Sequence, residues 1–108
     1  MAGAGEMMAG TKLVLLGTGN PNPDPFRAGP SSAVVVGEHA YIFDAGPGIV
    51  RQAAGAFQKG LSALDPKRLD KLFITHLHSD HTLGLPDLIL TPWVMERTEP
   101  LKVWGPEG

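Results

Sequence analysis

The chain has 108 residues, with nine Lys and Arg against eleven Asp and Glu, for a formal net charge of −2. That length suits one domain, and the near-neutral balance excludes capture of nucleic acid or an anionic membrane by overall charge, leaving only a local basic patch for that purpose. There is no cysteine, so disulfides and thiolate-held metals are excluded as well.

Met1 to Gly10 are small residues with Glu6 as their one charged side chain, and they predict a flexible leader over residues 1–10. They lack the basic start and apolar stretch of a secretory signal, and the expected location is the cytoplasm. Lys12 to Leu16 is a short apolar run ended by Gly17 and predicts a buried strand. Asn20 to Pro30 contains four prolines and predicts an ordered surface loop. Ser32 to Val36 and Tyr41 to Phe43 flank Gly37-Glu38-His39 and predict a hairpin, with His39 a solvated turn residue. Ile49 to Phe57 places Val50, Ala53, Ala54 and Phe57 at helical spacing.

Asp65-Pro66 predicts a capped helical turn leading into a strand over Lys71 to Thr75. Leu85 to Met95 predicts a helix bounded or kinked by Pro86 and Pro92. Leu101 to Trp104 predicts a last strand with no helix after it, so the sheet is expected to leave apolar surface uncovered.

The chemistry concentrates just past the strand at Lys71 to Thr75, in Thr75-His76-Leu77-His78-Ser79-Asp80-His81. Imidazole nitrogen and carboxylate oxygen are ordinary ligands of zinc and related metals. His76 and His78 are two apart, so on an extended segment they face the same side and can reach one metal. Asp80 and His81 fall where the chain turns toward the next helix and are free to point elsewhere. A position outside the carboxyl end of a strand is also where α/β sheets tend to bind ligands.

This motif after an apolar strand resembles the signature of the metallo-β-lactamase superfamily, with the ribonuclease Z-like branch as the best match. The likeness extends through Leu15-Leu16-Gly17-Thr18-Gly19, Ser31-Ser32, Phe43-Asp44-Ala45-Gly46 and Gly84-Leu85-Pro86. It implies an α/β fold of the αββα sandwich type, of which residues 11–108 would form the N-terminal part, as a mixed sheet with helices on one face. It also implies a two-zinc site, with manganese or iron as alternatives. His76 and His78 would bind the first metal, and Asp80 and His81 the second. Asp44 would support the ligands from behind, a role weighed equally against that of a strand-ending turn former. Gly17-Thr18-Gly19 is expected to form a tight turn beneath the site rather than a phosphate loop.

The implied chemistry is metal-assisted hydrolysis of a small-molecule or nucleic-acid ester, most readily a phosphodiester, with Asp80 also orienting the attacking water. Ser79 stands where tRNA-processing members usually have glycine, which weighs against tRNA in particular. The superfamily's remaining ligands lie beyond the span matched here, so these 108 residues alone are expected to bind metal weakly and to turn over little substrate. A different class is a non-catalytic metal-binding module or one that self-associates, as in a homodimer, with Trp93 and Trp104 as contact residues. No membrane association is expected.

Overall fold

The computed structural model describes the backbone of residues 2–8 and 10–107, with side chains from Gly10 onward. Six strands form one mixed sheet in chain order. They are β1 (Ala2–Met8), β2 (Thr11–Gly17), β3 (Ser31–Val36), β4 (His39–Phe43), β5 (Lys71–Phe73) and β6 (Lys102–Trp104). The first four pair antiparallel, and β4, β5 and β6 run parallel. Two helices, α1 (Ile49–Gln58) and α2 (Leu85–Val94), supply the crossovers. This is the α/β arrangement with a mixed sheet that the sequence predicts.

Strand alternation sorts the side chains. Val14, Leu16, Ala33, Val35, Ala40, Ile42 and Leu72 all face inward and are buried. They pack against Ile49, Val50, Ala53 and Ala56 of α1 and Leu88 of α2 in one core cluster. The buried stripe of α1 therefore differs from the predicted one. Ile49 and Ala56 are inside, whereas Ala54 is half-buried and Phe57 is 40% exposed. The spacing rule gives a stripe, but its rotation about the helix is set by where the sheet lies.

The opposite sheet face carries Leu13, Leu15, Val36, Phe43 and Trp104, all exposed. Phe43, Phe73 and Trp104 stack across three neighbouring strands, with ring centroids 5.2 and 4.8 Å apart. Among the described residues nothing covers this face, as expected.

Two expectations change. The leader is not loose over Ala2–Met8, which lies antiparallel to β2, with Ala2 opposite Leu15 and Met8 opposite Thr11. Weak strand propensity misled the reading: without proline, this stretch offers an unbroken set of backbone donors and acceptors to the open edge of β2. Met1 and Ala9 of that segment, and Gly108 at the other end, lie outside the described residues. The strand predicted to run to Thr75 ends at Phe73. Beyond it, Ile74 donates to Trp104 of β6, but Thr75 turns to a side chain instead.

Pro92 lies inside α2 rather than at its edge. Proline has no N–H, so the carbonyl of Leu88 one turn earlier loses its helical partner. Arg97 supplies the substitute: its guanidinium donates to the carbonyl oxygens of Leu88 (3.1 Å), Leu69 (3.3 Å) and Ile89 (3.4 Å).

Candidate metal centre

The site is built where four backbone segments cross at the end of the sheet. The Asp44 amide donates to the Phe73 carbonyl, Ala45 to His81, Gly84 to Ala45, and Gly46 to Pro30. The crossing is tight enough to require glycine: a Cβ on Gly84 would lie 2.3 Å from the Gly46 carbonyl oxygen, and one on Gly46 would lie 2.3 Å from Gly29 carbon. Gly17-Thr18-Gly19, expected as a tight turn, instead ends β2 and continues as irregular chain, close against Ala28 and Gly29 in the same crossing.

Asp44 follows β4 directly and has φ 65°. That left-handed conformation is uncommon outside glycine but tolerated by aspartate, and it concentrates at sites that need it. Here it turns the carboxylate of this buried residue toward the histidine motif. One carboxylate oxygen, Oδ1, accepts from the Thr75 amide at 2.8 Å. The other, Oδ2, accepts from the Thr75 hydroxyl at 2.7 Å and meets His81 Nδ1 at 2.8 Å. Burial pushes this carboxyl's pKa up, but the Thr75 amide, the Thr75 hydroxyl and His81 together outweigh it and hold the pKa below the ordinary carboxylate value.

The motif itself leaves β5 in extended form and closes in a 3₁₀ turn, Ser79–His81. His76 lies between the other two imidazoles. Its ring centroid is 4.8 Å from that of His78, edge-on, and 4.0 Å from that of His81, tilted by 51°. His81 Nε2 lies 3.6 Å from Asp80 Oδ2. Asp80 is buried, and among the described residues no hydrogen bond reaches its carboxylate. The structure thus places His81 beside His76, where the sequence leaves it free to point elsewhere. The four side chains are gathered but not converged: among the described residues no three His, Cys, Asp or Glu side chains are set to hold one metal ion.

The donor set nevertheless fits a divalent metal. Its members are three imidazoles and a buried carboxylate with unspent lone pairs, all oxygen and nitrogen, clustered at a strand's carboxyl end. His81 leans on Asp44 through Nδ1, which leaves Nε2 for a ligand in the carboxylate–histidine–metal arrangement common at zinc sites. Beside the motif opens a cleft of ≈ 630 Å³. It is lined by Ser79, Asp80 and Leu83, by the proline-rich loop with Arg27, and by the start of α1 with Arg51. The sequence shows Thr75 only as the strand end that opens the motif, with no sign of its hydrogen bonds to Asp44, and gives no signal for Arg51 in the cleft lining. His39 is exposed at the start of β4, away from the site.

The mixed sheet with its two helices, the glycine crossing and the histidine cluster define a class. Residues 10–103 match the family model of the Metallo-beta-lactamase superfamily, and the chain belongs to that superfamily. Its curated relatives include ribonucleases Z. Ribonuclease Z of Mycobacterium sp. (strain KMS) is 46% identical over 101 residues, covering 90% of this chain and 33% of the relative. Ribonuclease Z of Pyrococcus horikoshii is 40% identical over 97 residues, covering 90% and 30%. Among solved structures, human tRNase Z, short form, superposes with a TM-score of 0.71 at 34% identity, over 89% of this chain and 34% of that one. The metallo-β-lactamase fold protein YhfI from Bacillus subtilis gives the same TM-score, 0.71, at 18% identity, over 88% and 37%, which shows the fold alone. The chain spans about a third of the length of the curated relatives it matches.

Proposed function

We propose that the chain carries the first metal-binding segment of a metal-dependent hydrolase that cleaves a phosphodiester of RNA, as in a ribonuclease Z. The single observation that carries this reading is the gathering of His76, His78 and His81 beside Asp80, which itself lines an open cleft. His76 and His78 are read as ligands of one cation, and Asp80 and His81 as ligands of a second; zinc suits them best, with manganese or iron as alternatives. Bound cations there would supply Lewis acidity and a water acidic enough to attack at neutral pH.

The chain's own residues have definite tasks in this reading. Asp80 presents two carboxylate oxygens, of which one can hold a cation and the other can accept a proton from the attacking water. Asp44 holds His81 in place from behind. Arg27 and Arg51 line the same cleft as Asp80 and form no ion pair among the described residues, so they are available to meet the phosphates of an anionic substrate. Ser79, the position that departs from tRNA-processing members, lines the same cleft, so the departure bears on which RNA is accepted. The reaction is read as cytoplasmic. No helix among the described residues is long and apolar enough to cross a membrane.

Zinc titration of the chain, followed calorimetrically beside His78→Ala and Asp80→Ala, tests the metal reading. Weak binding that either substitution abolishes is the expected result, together with little hydrolysis of bis(p-nitrophenyl) phosphate. Binding that survives both substitutions would remove the motif from consideration. A second reading, a self-associating module that shares ligands between two copies, is favoured by the exposed Phe43–Phe73–Trp104 stack and by exposed Trp93. Light scattering separates the two, since a monomer at micromolar concentration rules out the second.

A further inference from the structure

The hydrogen bonds behind the histidines allow one further step, which rests on the metal reading above. We infer that Thr75 is a positioning residue: through Asp44, its hydroxyl sets the tautomer of His76 so that Nε2 is the free donor.

The argument is a count of protons. An ionised carboxylate accepts hydrogen bonds and donates none. Asp44 Oδ2 therefore takes the single hydroxyl proton of Thr75, over 2.7 Å. The same Thr75 oxygen lies 2.9 Å from His76 Nδ1. Its proton is already committed to Asp44, so at that second contact the oxygen can only accept. His76 Nδ1 must then carry the proton, and the lone pair of the neutral ring falls on Nε2.

Asp44 Oδ2 imposes the same outcome on His81 directly, because it accepts from Nδ1 at 2.8 Å. One carboxylate thus governs two imidazoles, one by contact and one through the threonine hydroxyl. The Thr75 amide on Oδ1 keeps the carboxylate from rotating away. Among the described residues nothing comparable touches His78, whose tautomer is left to its ligand. The hydroxyl is essential to the scheme and the methyl is not, so serine should serve at position 75 and valine should not.

Nitrogen-15 NMR of the full chain in mildly alkaline, metal-free buffer tests this. Long-range proton–nitrogen correlations distinguish the two tautomers. The expected wild-type result is Nδ1–H on both His76 and His81. In Thr75→Val, His76 should move to Nε2–H while His81, still held by Asp44, stays as it was. Thr75→Ser should restore His76. Zinc affinity should fall by about 10–100-fold in Thr75→Val and return in Thr75→Ser, the usual scale for loss of a group that orients a metal ligand.

Nε2–H on His76 in the wild type overturns the proposal even if Thr75→Val does not fold. An unchanged His76 tautomer in Thr75→Val overturns it as well. The outcomes also separate this proposal from the one it rests on. The expected tautomers without any zinc binding would sink the metal reading and leave the proton wiring intact. Zinc binding with the opposite tautomer would do the reverse.

Discussion

Gly84→Ala is the sharpest probe of how the site is held. Gly84 packs against the Asp44–Gly48 turn, and its amide donates to the Ala45 carbonyl at 2.8 Å. An added Cβ would lie 2.3 Å from the Gly46 carbonyl oxygen, 2.7 Å from Ile49 Cγ2 and 2.9 Å from the Ala45 carbonyl oxygen. Two of these three obstacles are backbone atoms that cannot rotate aside. Forcing the segments apart costs about 1–3 kcal/mol as overpacking. Weakening the amide bond adds about 1 kcal/mol. The sum is about 2–4 kcal/mol, and at about 4 °C per kcal/mol it lowers the melting temperature by about 8–16 °C. Thermal unfolding followed by circular dichroism measures it. Gly55→Ala is the matched control, because Gly55 sits inside α1 with nothing within 4 Å of an added Cβ. It should stabilise by about 0.5–1 kcal/mol through helix propensity. Equal small effects at the two positions would refute the crossing as the organising feature.

Three other substitutions test separate parts of the structure. Arg97→Ala leaves the Leu88 carbonyl above Pro92 without a partner and should cost about 1–3 kcal/mol in urea unfolding; a change under the error of the fit would show that Arg97 only decorates the helix end. Ser31 Oγ is buried with no hydrogen-bond partner, so Ser31→Ala should be neutral or stabilising by about 1 kcal/mol, and a clear loss of stability would contradict that assignment. For Asp44, a carboxyl with a depressed pKa contributes stability that is present above the ordinary carboxylate value and lost as pH falls through the lower, folded value. The stability gap between wild type and Asp44→Asn should therefore be full near neutrality and shrink on acidification below about pH 4. A gap that grows there would reverse the sign of the argument.

How much of this was legible in the sequence follows from which interactions are local. The hairpin around Gly37 and the helix at Ile49 follow from patterns within a dozen residues, and both are where the spacing puts them. The same is true of the turn at Pro66, where Asp65 caps the Lys67 amide at 3.2 Å. The histidine motif is legible as a cluster because its members are adjacent in the chain. Its internal geometry is not. The approach of His81 to His76 depends on the 3₁₀ turn and on Asp44, 37 residues earlier. Thr75 reads as a strand end because an apolar run gives no sign that its hydroxyl will be claimed by Asp44, just past another strand. Strand β1 escaped for a related reason: Ala and Gly are poor strand formers alone, and only the neighbouring edge of β2 makes that conformation favourable.

The distribution of polar partners suggests how the site keeps its shape before any ligand arrives. Bringing three imidazoles and two carboxylates together costs desolvation and some like-charge repulsion. Asp44 answers this with three hydrogen bonds and a rigid left-handed backbone, anchored in the glycine crossing. Asp80 has no such support and lies against the open cleft. One carboxylate is therefore spent on architecture and the other is left for chemistry. Asparagine at position 44 should accordingly disturb both stability and zinc affinity. Asparagine at position 80 should leave stability nearly unchanged and act on zinc affinity alone. If Asp80→Asn unfolded the chain as readily as Asp44→Asn, the two carboxylates would share one structural role, and this division would be wrong.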